Sequence, residues 1–237
     1  MRRALLALTV LAVASGCGSP APSPSSSAPP PTSAAPAPSP TPTLVVGDVT
    51  PARVLQVADG GRDPYGYGPM RADDLAPVLR PPCATADGAS EALMAKRATA
   101  TMSYRFSPPP LDSLEGDVSE VLTRYRNDGA NRFVAEWRTG VAACPHEQFN
   151  QTTADHTVLG TGFVGDESIL VSTLRQGPYP GPPGTTFSTT HYTAIIRIGD
   201  AAIVLTVYGW ETASPKREDV DRFVQAAVAR ATTEKSA

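Results

Sequence analysis

The chain has 237 residues, 41% hydrophobic and 18% charged, with 20 basic against 23 acidic side chains and a net charge of −3. That length suits one globular domain plus an appendage. The acidic balance, which deepens to −5 if Arg2 and Arg3 leave with a leader, disfavours nucleic acid as a partner, because a phosphate backbone needs a clustered positive footprint.

The N-terminus reads as a secretory signal over residues 1–16: Arg2 and Arg3, an apolar run from Ala4 to Ala14, then Ser15, Gly16 and Cys17. Eleven apolar residues fall well short of the ~20 that cross a bilayer as a helix. The stretch V-A-S-G-C at 13–17 resembles a bacterial lipobox, which implies diacylglycerol, and palmitate-type acylation, on Cys17. Ala14 stands where that pattern usually has Leu; ordinary secretion with a chance cysteine is the competing reading. With Cys17, residues 18–43 form a Pro/Ser/Ala-rich tether. The latter hold ten Pro, seven Ser, five Ala, three Thr and one Gly, with no charge and no aromatic ring, too little apolar surface to offset the entropy of ordering. As polyproline II at ~3.1 Å per residue they reach about 80 Å.

The expected domain spans residues 44–237. Ala98, Ala100, Met102, Tyr104 and Phe106 alternate with Thr99, Thr101, Ser103 and Arg105, the period of a half-buried strand. Residues 118–125 fit either a strand or a helix, with β-branched content favouring the strand. Ala130, Phe133, Val134, Trp137 and Val141 form one stripe of an amphipathic helix. Strands are expected over 167–175, 190–198 and 201–208, the last two joined by Gly199 and Asp200 in a type II′ hairpin. Ser214 as cap and Pro215 as first residue open a C-terminal helix whose buried stripe is Val220, Phe223, Val224, Ala227, Val228 and Ala231. Strands and helices that do not alternate regularly predict an α+β domain: an antiparallel sheet with two or three packed helices.

With Cys17 acylated, an exported chain retains Cys83 and Cys144, for which one intramolecular bond is available. It would close a loop worth ~4 kcal/mol in the chain-entropy model. Free thiols or a metal pair are the alternatives, the latter needing further ligands. Near-motifs fall away on context. Gly160, Gly162 and Gly165 satisfy G-x-G-x-x-G, but a strand follows where a phosphate site needs a helix. His146 and Glu147 begin an H-E-x-x-H pattern that ends in Asn150. His146, His156 and His191 read as surface residues. Asp166 and Glu167, adjacent on a strand, point to opposite faces and cannot flank one glycosidic bond unless a bulge intervenes. No catalytic residue, metal site or cofactor is therefore assigned.

Three motifs, V-x-x-W-R-x-x-V-x-x-C-P at 134–145, G-D-E-S at 165–168 and R-I-G-D at 197–200, together with the tether, give a domain that resembles actinobacterial sensor-domain lipoproteins. These are similar to the extracellular domain of mycobacterial receptor serine/threonine kinases of the PknH type. The resemblance covers roughly residues 50–232. It implies an antiparallel sheet with packed helices, disulfide bonding and a cleft for an unidentified ligand. The chain departs from it in having one possible disulfide rather than two and no kinase segment.

The expectation is a non-enzymatic binding or sensing module, lipid-anchored on the extracytoplasmic face of the cell membrane, that recognises a small molecule, an envelope glycan or an envelope protein. The rivals are a lipid or glycolipid carrier and, behind it, an envelope hydrolase. Ligand contacts are expected on two aromatic-bearing loops, through Tyr65 and Tyr67 in residues 63–70 and through Tyr179 and Phe187 in residues 176–188. The plainer reading has these rings covering the sheet edge.

Overall fold

The computed structural model describes residues 44–60, 80–84, 88–105, 115–179, 184–209 and 214–234. The expectations for the signal segment, Cys17, the tether, Tyr65 and Tyr67 lie outside the described residues. Among the described residues no helix is long and apolar enough to cross a membrane.

The domain is α+β, as its pattern predicts. Among the described residues seven strands form one antiparallel sheet: β2 (Met94–Arg105), β3 (Glu115–Tyr125), β4 (His146–Phe149), β5 (Thr152–Thr161), β6 (Glu167–Pro178), β7 (Thr186–Ile198) and β8 (Ala201–Gly209). Across the sheet the order is β2-β3-β8-β7-β6-β5-β4. The last five strands run as a meander that returns to pair β8 with β3. Helix α1 (Gly129–Ala143) carries the chain from β3 to the far edge, and α2 (Arg217–Ala231) follows β8. A separate ribbon pairs β1 (Leu44–Val46) with β9 (Thr232–Glu234). The ambiguous segment 118–125 is strand, because it pairs on both sides, with β2 and with β8.

The sheet separates two cores. On one face Ala98, Met102, Leu122, Ile196, Ile203 and Leu205 pack under α2, which contributes Val220, Phe223, Val224 and Ala227. Phe223 meets Tyr104 edge-on, with ring centroids 5.1 Å apart. On the other face Val121, Ile169, Ile195 and Val204 pack under Phe133, Val134, Trp137 and Val141 of α1. Both helical stripes fall where their 3.6-residue spacing puts them.

Two local expectations are corrected. Helix α2 begins at Arg217, with Asp219 accepting from the Lys216 amide. The Ser214 hydroxyl instead accepts from the Thr190 amide and ties the chain to β7. The long loop expected over 176–188 is mostly hairpin. Gln176, Gly177 and Pro178 pair with Ser188, Phe187 and Thr186, so the connection shrinks to residues 179–185. Gly199 sits at φ +60° at the first central position of the β7–β8 turn, the conformation expected there.

Candidate functional site

Helix α1 covers only part of its sheet face, and the strands register the change in their sequence. In β6 the residues facing α1 pass from Ile169 and Val171 to Thr173; in β7 from Ile195 to Thr193 and His191; in β8 from Val204 to Thr206 and Tyr208. Where the helix ends, oily side chains give way to hydroxyls and imidazoles. A cavity of about 570 Å³ opens over this half-face. Its floor carries Thr173, His191, Thr193, Thr206 and Tyr208, and its walls include Trp137, Phe149 and the segment from Arg80 to Ala84. Phe149 is 55% exposed at the site, an aromatic ring left open to solvent.

Antiparallel register lines the polar groups into a row. His156 on β5 pairs with Thr173 on β6, and Thr173 with His191 on β7. His191 meets the Tyr208 ring edge-on at 5.0 Å. Toward the sheet edge, the Thr173 hydroxyl lies 3.0 Å from His156 Nδ1, and His156 Nε2 lies 3.2 Å from Glu147 Oε2. The other Glu147 oxygen accepts the Cys83 amide. One turn of the pleat away, the hydroxyls of Thr193 and Thr206 stand 3.4 Å apart.

The three histidines differ from one another: His146 is on the surface, as read from sequence, whereas for His156 and His191 that reading is corrected. His146 is exposed and pairs with Asp155 at 2.6 Å. His156 and Glu147 keep only 8% and 9% of their side-chain surface. His191 is half-buried, and burial, helped by the nearby Arg175 guanidinium, pushes its pKa down to about 4, so its ring is neutral near pH 7. No hydrogen bond to either His191 ring nitrogen is formed among the described residues, which leaves one donor and one acceptor on the cavity floor. Burial also raises the Tyr208 phenol, which stays protonated.

Cys83 and Cys144 form a disulfide, with Cα atoms 6.0 Å apart. It staples the segment 80–84 onto the C-terminal half of α1. Gly140 permits the approach, because a Cβ there would sit 2.5 Å from the Pro81 side chain. Cys83 holds φ +56° and belongs to the walls of both this cavity and a second one, of about 700 Å³, between the same segment and α1. The expectation that no metal ligands gather in the chain is corrected here. Cys83 Sγ, Cys144 Sγ and a Glu147 oxygen lie within 4.8 Å of one another, a group able to hold a metal ion. The sequence reading discounted the cysteine pair for want of further ligands; Glu147 supplies one because Pro145 and β4 fold it back beside the sulfurs. In the disulfide form the sulfurs bond to each other, and only thiolates are strong metal ligands.

The aromatic residues proposed from sequence lie elsewhere. Phe187 sits half-buried on β7 opposite Gly177, and Tyr179 donates its amide to the Thr185 carbonyl at the hairpin end. Neither belongs to the cavity wall. The G-D-E-S and R-I-G-D motifs make a clasp at the other end of β6 and β7. Asp166 accepts from the Gly199 amide at 2.7 Å and from Arg197 at 3.1 Å. The Ser168 hydroxyl accepts the Phe163 amide at 2.9 Å, and Glu167 pairs with Arg138 of α1. Their chemistry is structural, and of the quoted motifs only the first, through Trp137, reaches the cavity.

No family model, curated protein or solved structure matches the chain.

Proposed function

We propose that the chain is a binding module of the cell envelope, held at the extracytoplasmic face of the membrane through lipid on Cys17, and that it takes its ligand in the cavity over the uncovered half of the α1 face. The observation that carries this reading is the row of hydrogen-bonding side chains from Glu147 to Tyr208 on an otherwise stable sheet. A face meant only for packing would continue the apolar pattern of Ile169, Ile195 and Val204. Hydroxyls and a neutral imidazole left on a concave surface lower stability and favour a polar occupant. The anchor rests on the leader, Cys17 and the tether, a layout that holds a domain some distance from a bilayer.

Native mass spectrometry of the full chain purified from its own envelope tests the reading. A retained non-protein mass that is lost on Thr173→Val and His191→Phe substitution supports it. A retained mass indifferent to both substitutions refutes the site. A lipid carrier is the weaker alternative, since an acyl chain in this cavity would strip water from His191 and three threonine hydroxyls without replacing it.

A second reading has one specific observation behind it. Thr173 Oγ1, His156 and Glu147 stand in the order nucleophile, base and orienting carboxylate, with links of 3.0 and 3.2 Å. In that reading the cavity hydrolyses an ester: Thr173 attacks the carbonyl, His156 takes the hydroxyl proton and returns it to the leaving alcohol, and water releases the acyl group. Hydrolysis of p-nitrophenyl acetate above background, abolished by Thr173→Val, separates it from simple binding.

A further inference from the structure

The cavity floor and walls together define a ligand chemistry, and the geometry points to a neutral polyhydroxylated ligand of one or two sugar rings, seated with its hydroxyls on Thr173, Thr193, Thr206 and His191 and a ring face against Phe149. This inference rests on the binding reading of the same cavity and narrows it to a ligand class.

The floor presents groups that both donate and accept. Each threonine hydroxyl has one donor and two acceptors, of which the Thr193–Thr206 and Thr173–His156 contacts use one function apiece, and neutral His191 offers one of each. Sugar hydroxyls have the same dual character, so a polyol satisfies such a surface in many small steps. A carboxylate, which only accepts, and an alkyl chain, which does neither, cannot do so. Charge argues the same way. Among the lining residues the carboxylate is Glu147, already engaged by the Cys83 amide and His156. The lining guanidinium, Arg80, is an exposed residue of the segment that forms the cavity wall. A site built for phosphate or carboxylate places a guanidinium or a cluster of amides where the anion lands; the floor strands line the cavity with threonine, imidazole and phenol, and Arg175, two residues beyond Thr173 on β6, is near His191 but exposed and outside the lining.

The walls supply the apolar half of the match. Trp137 borders the cavity from within the α1 core, only 5% exposed, whereas Phe149 closes β4 with its ring open to solvent. Rings of this kind combine a broad apolar face with a polar surround, suited to a ligand whose edges carry hydroxyls and whose faces carry C–H groups. A volume of about 570 Å³ lies in the range of small-ligand sites and accommodates a mono- or disaccharide.

Saturation-transfer NMR on the full chain in detergent micelles tests the class. Trehalose, maltose and N,N′-diacetylchitobiose are offered one at a time, with laurate and methyl phosphate, whose methyl protons report its binding, as competing chemistries. The expected result is saturation of at least one disaccharide, weakened about tenfold in a Thr193→Val/Thr206→Val double variant whose near-UV circular dichroism is unchanged. Should that variant misfold, His191→Gln gives the same readout at an independent position. Binding of laurate or methyl phosphate without any saccharide overturns the inference while leaving the cavity as a binding site. Saccharide binding that neither variant weakens also overturns it, since the sugar then sits elsewhere. If none of the five probes binds, the polyol class fails, and the mass retained from the envelope decides the broader reading separately.

Discussion

The two faces of the sheet are built from the same seven strands and differ in what they are asked to cover. Beneath α2 the apolar side chains run on from Leu122 and Ile203 through Leu205 and Val207 to Val118 and Tyr104, broken on β3 by Glu120. Beneath α1 they stop at Val171, Ile195 and Val204, and the next residues along each strand are threonine, histidine and tyrosine. Strand alternation sets the faces independently, so one face can be committed to stability while the other divides between packing and recognition. The α2 side also buries polar groups, Ser168 and Asp219 in addition to Glu120. Glu120 is fully buried there, accepts the Leu55 amide at 2.6 Å, and has its pKa raised to about 8 by burial.

If that division is correct, substitutions on the closed face act on stability and substitutions on the open half-face leave it nearly unchanged. The largest effect is expected for Phe223→Ala, which removes a fully buried ring packed on Tyr104 and costs about 3–5 kcal/mol in chemical denaturation. Loss of the disulfide through Cys83→Ser with Cys144→Ser is expected to cost about 2–4 kcal/mol. It would also free the wall segment 80–84, and ligand affinity would fall with it.

Glu120→Gln sharpens the comparison through pH. The folded-state pKa, about 8, lies above the ordinary 4.5, so the folded protein holds a proton that the unfolded chain releases. Stability contributed by that neutral carboxyl is full below pH 4.5 and is lost as pH climbs toward 8. The glutamine variant removes this slope, and a gain of about 1–3 kcal/mol over the parent at pH 7 is expected from melting curves across that range. His191 titrates with the opposite sign. Its pKa is depressed, so its neutral form contributes stability above pH 6.5 that is lost as pH falls toward 4, and its ring resonances should hold their neutral shifts down to about pH 4. The smallest effect belongs to Thr193→Val and Thr206→Val, each expected within about 0.5–1 kcal/mol of the parent.

Much of the fold was legible because its signals are local. The stripe from Ala130 to Val141, the one from Val220 to Ala231 and the Gly199 turn each depend on residues close in sequence, and the structure has all three. The short edge strand His146–Phe149 was missed because its neighbours Pro145 and Asn150 read as loop, and its pairing partner, Thr152–Thr161, lacks apolar alternation. That omission hid the site. Glu147 and His156, nine residues apart, come together only when β4 and β5 pair through the tight turn at Asn150, which holds a positive φ. A local signal for the rest did exist: on alternate positions of β6, β7 and β8 the apolar series ends in Thr173, in Thr193 and His191, and in Thr206 and Tyr208. The aromatic loops drew attention instead, because ring content is conspicuous in a sequence whereas a change along one face of a sheet is not.

Hydrogen–deuterium exchange on the full chain, with and without the ligand retained from its envelope, tests the division between the two faces most directly. The account predicts added protection in the strand segments around Thr173, His191 to Thr193 and Thr206 to Tyr208 and around Glu147, with α2 unchanged. Protection confined to α2 and residues 44–60, with those strand segments exchanging as before, would contradict it.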